Sequence, residues 1–157
     1  MDLKLQESIK EALLLGKFKT FCENNSSIEA QQKIRTIYNY SSNPLKTTKN
    51  ILINELGESI TDEELPRLFD LISAFLKKSD YRKAIPDSVK SRLLLNQGCK
   101  CAICKTNIDH HAHADHIVPF KYVGDELADN LQLLCSDCNL KKNDNIDFQI
   151  RFLLKTL

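Results

Sequence analysis

The sequence predicts an α+β chain, mostly α, with an N-terminal helical bundle ahead of a smaller unit stapled by cysteines. Three observations carry that expectation. Apolar residues recur at helical spacing through the first 80 positions, with capping residues between the runs. Five of the six cysteines fall between positions 99 and 138, four of them as two Cys-x-x-Cys pairs. Two short apolar stretches of strand length lie between those pairs. Hydrophobic residues make up 42% and charged residues 27% of 157 positions, with only 4 Gly and 4 Pro, which excludes collagen-like and loop-dominated classes.

The elements follow in order. Leu3, Leu5, Ile9, Leu13 and Leu14 recur near helical spacing, and Gly16 is expected to break or bend this first helix. Ser26 with Glu29 forms a capping-box pattern ahead of Ile28, Ile34, Ile37 and Tyr38. Pro44 suits the first turn of a third helix through Ile51, Leu52 and Leu56, stopped by Gly57. Thr61 with Glu64 is a second capping box, leading into Leu65, Leu68, Phe69, Ile72, Phe75 and Leu76; Pro66 argues for a later start. Residues 1–80 thus make one unit, a helical scaffold, docking or oligomerisation domain, with no catalytic residues in view. Residues 79–87 read as a linker, and 81–157 as the second unit. Asp87 or Ser88 can cap a helix through Val89, Leu93 and Leu94 that ends at Gly98. Strands are expected into Ile117-Val118-Pro119 and over Leu131–Leu134, then a C-terminal helix with Ile146, Phe148, Ile150, Phe152, Leu153 and Leu154.

Charge narrows the partners. The net charge is +1; residues 1–80 carry 11 basic and 12 acidic side chains, and 81–157 carry 11 and 9. A protein relying on bulk electrostatics for nucleic-acid affinity is more basic, so phosphate contacts must be local. No uncharged apolar run approaches the roughly 18–20 residues that span a bilayer. Met1-Asp2-Leu3-Lys4 opens without a signal-peptide stretch, so the cytoplasm is the expected compartment, where disulfides are uncommon.

Cys101-Ala102-Ile103-Cys104 and Cys135-Ser136-Asp137-Cys138 have the spacing of a Cys₄ zinc site. Two residues between thiolates let a tight turn aim both sulfurs at one tetrahedral ion. Two such turns close the coordination sphere, so the zinc is structural, and its binding free energy becomes folding free energy. An iron–sulfur cluster, a redox dithiol and disulfides are the rivals. Cys99 is a poorer partner for Cys104 than Cys101 is, with four residues between. Cys22 follows an apolar stretch and is expected to be a buried thiol.

All four histidines, His110, His111, His113 and His116, lie between the cysteine pairs, and Asp115 precedes His116. On a strand His111, His113 and Asp115 share a face, and His116 points away unless the strand ends there. An Asp-His pair sets a hard oxygen ligand beside a base that titrates near neutrality. The competing reading is a surface strand that happens to contain histidines, or a second zinc site.

From Cys101 to Lys142 the sequence resembles the HNH nuclease family. The resemblance is carried by Cys101-x-x-Cys104, Asp115-His116-Ile117-Val118-Pro119, Asn130-Leu131-Gln132-Leu133-Leu134-Cys135 and Cys138-Asn139-x-x-Lys142. It implies a ββα-metal unit, a two-stranded hairpin and a helix gripping one divalent cation, with zinc on Cys101, Cys104, Cys135 and Cys138. It implies that Asp115 and Asn139 bind catalytic Mg²⁺ or Mn²⁺, and that His116 is the general base. Asn130 then holds the loop and orients His116, and Lys121, Lys141 and Lys142 contact phosphate. Asn139 stands where many relatives have His. Where the family often has Gly-Gly after the proline, this chain has Phe120-Lys121-Tyr122-Val123-Gly124, and His111 and His113 are additional, expected near phosphate or an outer-shell water. The implied activity is metal-dependent hydrolysis of DNA phosphodiesters, leaving 5′-phosphate and 3′-hydroxyl ends. The chain is then expected to be one subunit of a larger assembly, such as a bacterial restriction or phage-defence effector, or a homodimer through residues 1–80. The alternative is a non-catalytic zinc-ribbon module that binds nucleic acid or protein.

Overall fold

The computed structural model describes residues 2–155. Met1, at the head of the N-terminal reading, and positions 156 and 157, at the end of the second unit, lie outside the described residues. The helices are α1 (Leu3–Asn24), α2 (Ile28–Asn39), α3 (Pro44–Leu56), α4 (Leu65–Lys77), α5 (Asp87–Asn96), α6 (Phe120–Val123), α7 (Ser136–Lys142) and α8 (Ile146–Lys155). The strands β1 (His113–His116) and β2 (Leu131–Leu134) pair antiparallel, with His113 opposite Leu134 and His116 opposite Leu131. The architecture is therefore α+β and mostly helical, as the sequence predicts.

Local chemistry sets the helix ends. Asp2 caps α1 by accepting from the Lys4 amide at 3.1 Å. Pro44 opens α3, and Gly57 closes it in the left-handed conformation at φ 64°. The Thr61–Glu64 box forms reciprocally: the Thr61 amide donates to Glu64 Oε2 at 3.1 Å, and the Glu64 amide donates to Thr61 Oγ1 at 3.2 Å. It ends in the turn before α4, which puts Pro66 in the first helical turn, where it loses no hydrogen bond. Three expectations are corrected. Gly16 lies inside a continuous α1, because packing of the helix outweighs a cost of about 1 kcal/mol for one interior glycine. The cap of α2 is Ser27, accepting from the Ala30 amide, not Ser26. The first strand ends at His116 rather than running into Ile117–Pro119.

The core is built on α1 and α4. Phe18 and Phe21 from α1 meet Phe75 of α4 edge to face, at 6.4 and 5.9 Å between ring centroids. Leu68, Leu71 and Ile72 complete the buried face of α4. The same cluster takes in Val118, Val123 and Ile146, so buried apolar contact runs across the 80/81 division. Helix α8 packs along α1, where Lys19 Nζ meets Asp147 at 2.8 Å. A second, smaller cluster centres on Cys101, Leu134 and Cys138. Gln97, just past α5, brackets Leu133 in β2, accepting from its amide at 2.8 Å and donating to its carbonyl at 3.0 Å. That bracket holds the hairpin against α5.

Candidate active site

The two cysteine knuckles are made by backbone turns. Cys101 donates its amide to the Thr106 carbonyl at 2.8 Å and accepts from the Lys105 amide at 3.1 Å, with Lys105 in the left-handed conformation at φ 62°. The Ala102 amide donates to the Leu133 carbonyl at 3.1 Å, which ties this knuckle to β2. Cys135 caps α7 and Cys138 lies in its first turn. The four sulfurs lie within 4.8 Å of one another, and Cys104 and Cys135 are 3.6 Å apart. Tetrahedral zinc with bonds of 2.3 Å sets its sulfurs about 3.8 Å apart, so the donor set fits the ion. The electrostatics agree. The Thr106 hydroxyl beside Cys104 brings that thiol down to about 6, whereas burial and three neighbouring sulfurs push Cys138 up. One corner favours thiolate and another resists it, a conflict that a divalent cation removes. All six cysteines are free. Cys99 is exposed and outside the cluster. Cys22 is buried, and burial raises its thiol well above the usual range.

Asp115 and Asn139 line one cavity of about 1000 Å³, together with His111, His113, Tyr81 and Arg82. Asp115 comes from β1 and Asn139 from α7. Asp115 accepts from Gln132 Nε2 at 3.1 Å and pairs with Lys142 Nζ at 2.9 Å. Both contacts fall on Oδ2. The pair offers hard oxygen donors, the set that suits Mg²⁺ or Mn²⁺ rather than zinc.

His116, the last residue of β1, does not line this cavity. Its side chain is 4% exposed, with Nε2 2.9 Å from Asp125 Oδ1 and Nδ1 3.4 Å from Arg82 Nη2. The Phe120 ring meets it edge-on at 5.5 Å. Arg82 touches the imidazole and the cavity alike. Asn130 is buried and clamps Val118 at both ends. Its Oδ1 accepts from the Val118 amide and its Nδ2 donates to the Val118 carbonyl, each at 2.8 Å. Its own carbonyl accepts from the Ile117 amide at 2.9 Å. The side chain thus continues the hairpin ladder past the end of β1.

The phosphate role expected of Lys142 is corrected. Its side chain is fully buried, and Nζ donates to the His116 carbonyl at 2.6 Å besides pairing with Asp115. Lys121, Lys141 and His113 are exposed. Asp109, His110 and His111 also gather ligand atoms within 4.8 Å, all three at the surface.

Sequence reasoning missed Asp125, Arg82 and Gln132. Arg82 sits in the segment expected to be a linker. Asp125 follows the altered Phe120–Gly124 loop, and that departure from the family pattern was the signal that could have singled it out. Gln132 faces Asp115 across the hairpin register, which the strand pairing alone would show.

Residues 101–145 match the family model of the HNH endonucleases. The match spans both knuckles, both strands and α7, and the cysteine cluster is of the kind found in zinc-binding HNH domains. No curated protein and no solved structure matches the chain. Among the described residues no helix is long and apolar enough to cross a membrane.

Proposed function

We propose that the chain is a metal-dependent endonuclease that hydrolyses DNA phosphodiester bonds, with Asp115 and Asn139 holding Mg²⁺ or Mn²⁺ and His116 as general base. The observation that carries this reading is that Asp115 and Asn139, from two elements of the HNH segment, line the same open cavity. When bound there, the cation offsets charge building on the scissile phosphate and the leaving oxygen. His116 takes a proton from the water that attacks in line with the 3′ oxygen, the general-base role that an imidazole can fill. Asn130 keeps the strand end in place through Val118. Lys121, Lys141 and His113 contact phosphate from the surface. Zinc on the four cysteines is the structural staple.

Residues 1–80 act as a docking or oligomerisation unit and 81–157 as the nuclease unit of a larger assembly, such as a bacterial restriction or phage-defence effector. A net charge of +1 supports this, since another component can supply affinity for DNA.

A second reading is a non-catalytic zinc-ribbon module. It is favoured by the burial of His116 and the engagement of both its nitrogens by protein groups. The two readings part in a cleavage assay on supercoiled, linear and single-stranded DNA with Mg²⁺, Mn²⁺ or chelator. The nuclease reading expects metal-dependent cutting that Asp115→Asn abolishes. Binding without cutting under every condition selects the zinc ribbon.

A further inference from the structure

We propose that Asp125 is the positioning residue for His116, fixing the imidazole as the Nε2–H tautomer so that Nδ1 is the basic nitrogen. This rests on the reading of His116 as general base.

The ring has one polar partner at each nitrogen. Nε2 lies 2.9 Å from a carboxylate oxygen of Asp125, and Nδ1 lies 3.4 Å from the Arg82 guanidinium. An ionised carboxylate only accepts and a guanidinium only donates. A single arrangement satisfies both, with the proton on Nε2 and the lone pair on Nδ1. Burial leaves the ring little contact with bulk solvent, so its two protein partners decide the tautomer. Phe120 packs edge-on against the ring and limits its rotation.

Asp125 is itself held. Its Oδ2 accepts from the Lys83 amide at 2.8 Å. The residue before it, Gly124, has φ 57°, and a Cβ there would stand 3.0 Å from Lys78 Cβ. Backbone conformation and close packing together aim the carboxylate at Nε2. The two carboxylate oxygens therefore divide the work, one fixing the loop to the 79–86 segment and the other fixing the base.

Arg82 occupies the side of Nδ1 where an attacking water must stand. At 3.4 Å its contact with a neutral nitrogen is long. Arg82 also lines the cavity, so an entering phosphodiester offers it a charge-matched partner and draws it off the ring. Substrate entry thus frees the basic nitrogen.

The test uses the full-length zinc-loaded protein. Long-range ¹H–¹⁵N correlations of the imidazoles, assigned by loss of one set in His116→Ala, report the tautomer of His116 without turnover. Wild type is expected as Nε2–H. In Asp125→Asn the amide oxygen keeps the Lys83 contact and the amide nitrogen faces Nε2, so the proton moves to Nδ1. With zinc content unchanged and both proteins folded at the assay temperature, kcat then falls by at least about 100-fold while KM stays within about twofold. Asp125→Glu restores an acceptor, the Nε2–H form and most of kcat. Nδ1–H in wild type, or an unchanged tautomer and kcat in Asp125→Asn, overturns the assignment. Failure of the general-base reading shows separately, as cleavage that survives His116→Ala, and failure of the nuclease reading as no cleavage by wild type in any divalent metal.

Discussion

Lys142 Nζ lies 2.9 Å from Asp115 Oδ2 and 2.6 Å from the His116 carbonyl, with its side chain fully buried. One ammonium therefore ties α7 to two successive residues of β1. A lysine at a helix C-terminus ordinarily faces water, and here it is the internal strut of the hairpin–helix unit. Truncating it strands a mostly buried carboxylate and a backbone carbonyl. Lys142→Ala is expected to destabilise the protein by about 3 kcal/mol, as removal of one partner of a buried pair does. Urea unfolding checks this. An equally stable variant that only binds DNA less tightly would return Lys142 to the phosphate role.

The exposed cations behave differently. Lys121→Ala and Lys141→Ala are expected to leave stability within about 0.5 kcal/mol and to weaken DNA binding similarly across sequences. Each should reduce the salt slope of log K by about 1. Affinity measured across a salt series with catalytically dead protein gives the slopes. Unchanged slopes for both variants would remove these lysines from the interface.

Gly124→Ala places a side chain at φ 57° and 3.0 Å from Lys78 Cβ. The expected loss is more than about 1 kcal/mol, since the native conformation does not suit alanine. Because Asp125 follows directly, the variant should also lose activity beyond its loss of stability. Melting and cleavage measured side by side decide this. A variant as stable and as active as wild type would mean that the loop aims nothing.

The acid side of the stability profile carries a further mark of Asp125. Burial raises its carboxyl, but the Lys83 amide and His116 outweigh burial and hold it below the ordinary 3.8. A carboxyl with a lowered folded-state pKa contributes stability above its unfolded value and loses it as pH falls through the folded value. The stability difference between wild type and Asp125→Asn should therefore hold from neutral pH to about 4 and shrink below that. A difference that instead vanishes between pH 8 and 6 would assign the effect to another group.

What could be read from the sequence was what local chemistry decides. Pro44 and Gly57 bound α3, and the Thr61–Glu64 box precedes α4, because caps act over three or four residues. The paired cysteine spacing pointed to one cluster, and its sulfurs do converge. What could not be read depends on elements meeting in space. Arg82 and His116 are 34 residues apart and Lys142 and His116 are 26 apart. Their contacts arise from packing of the connecting segment and α7 on the hairpin, and no local pattern encodes them. Gly16 misleads for the same reason, since the burial of Leu14, Leu15 and Phe18 holds the helix through it.

The zinc staple has its own test. Cys138→Ser removes one of the two buried corners of the cluster and should cost the metal and the fold of the C-terminal half together. Metal content by mass spectrometry and near-ultraviolet circular dichroism report both. A folded, active variant without zinc would contradict a structural role.

The most direct measurement of the central claim is the Mg²⁺-dependent cleavage rate of supercoiled plasmid by wild type and His116→Ala at equal zinc content. Wild type is expected to cut, and the variant to lose at least about 100-fold, the scale of general-base catalysis. Equal rates from the two proteins, or none from either in any divalent metal, would contradict it.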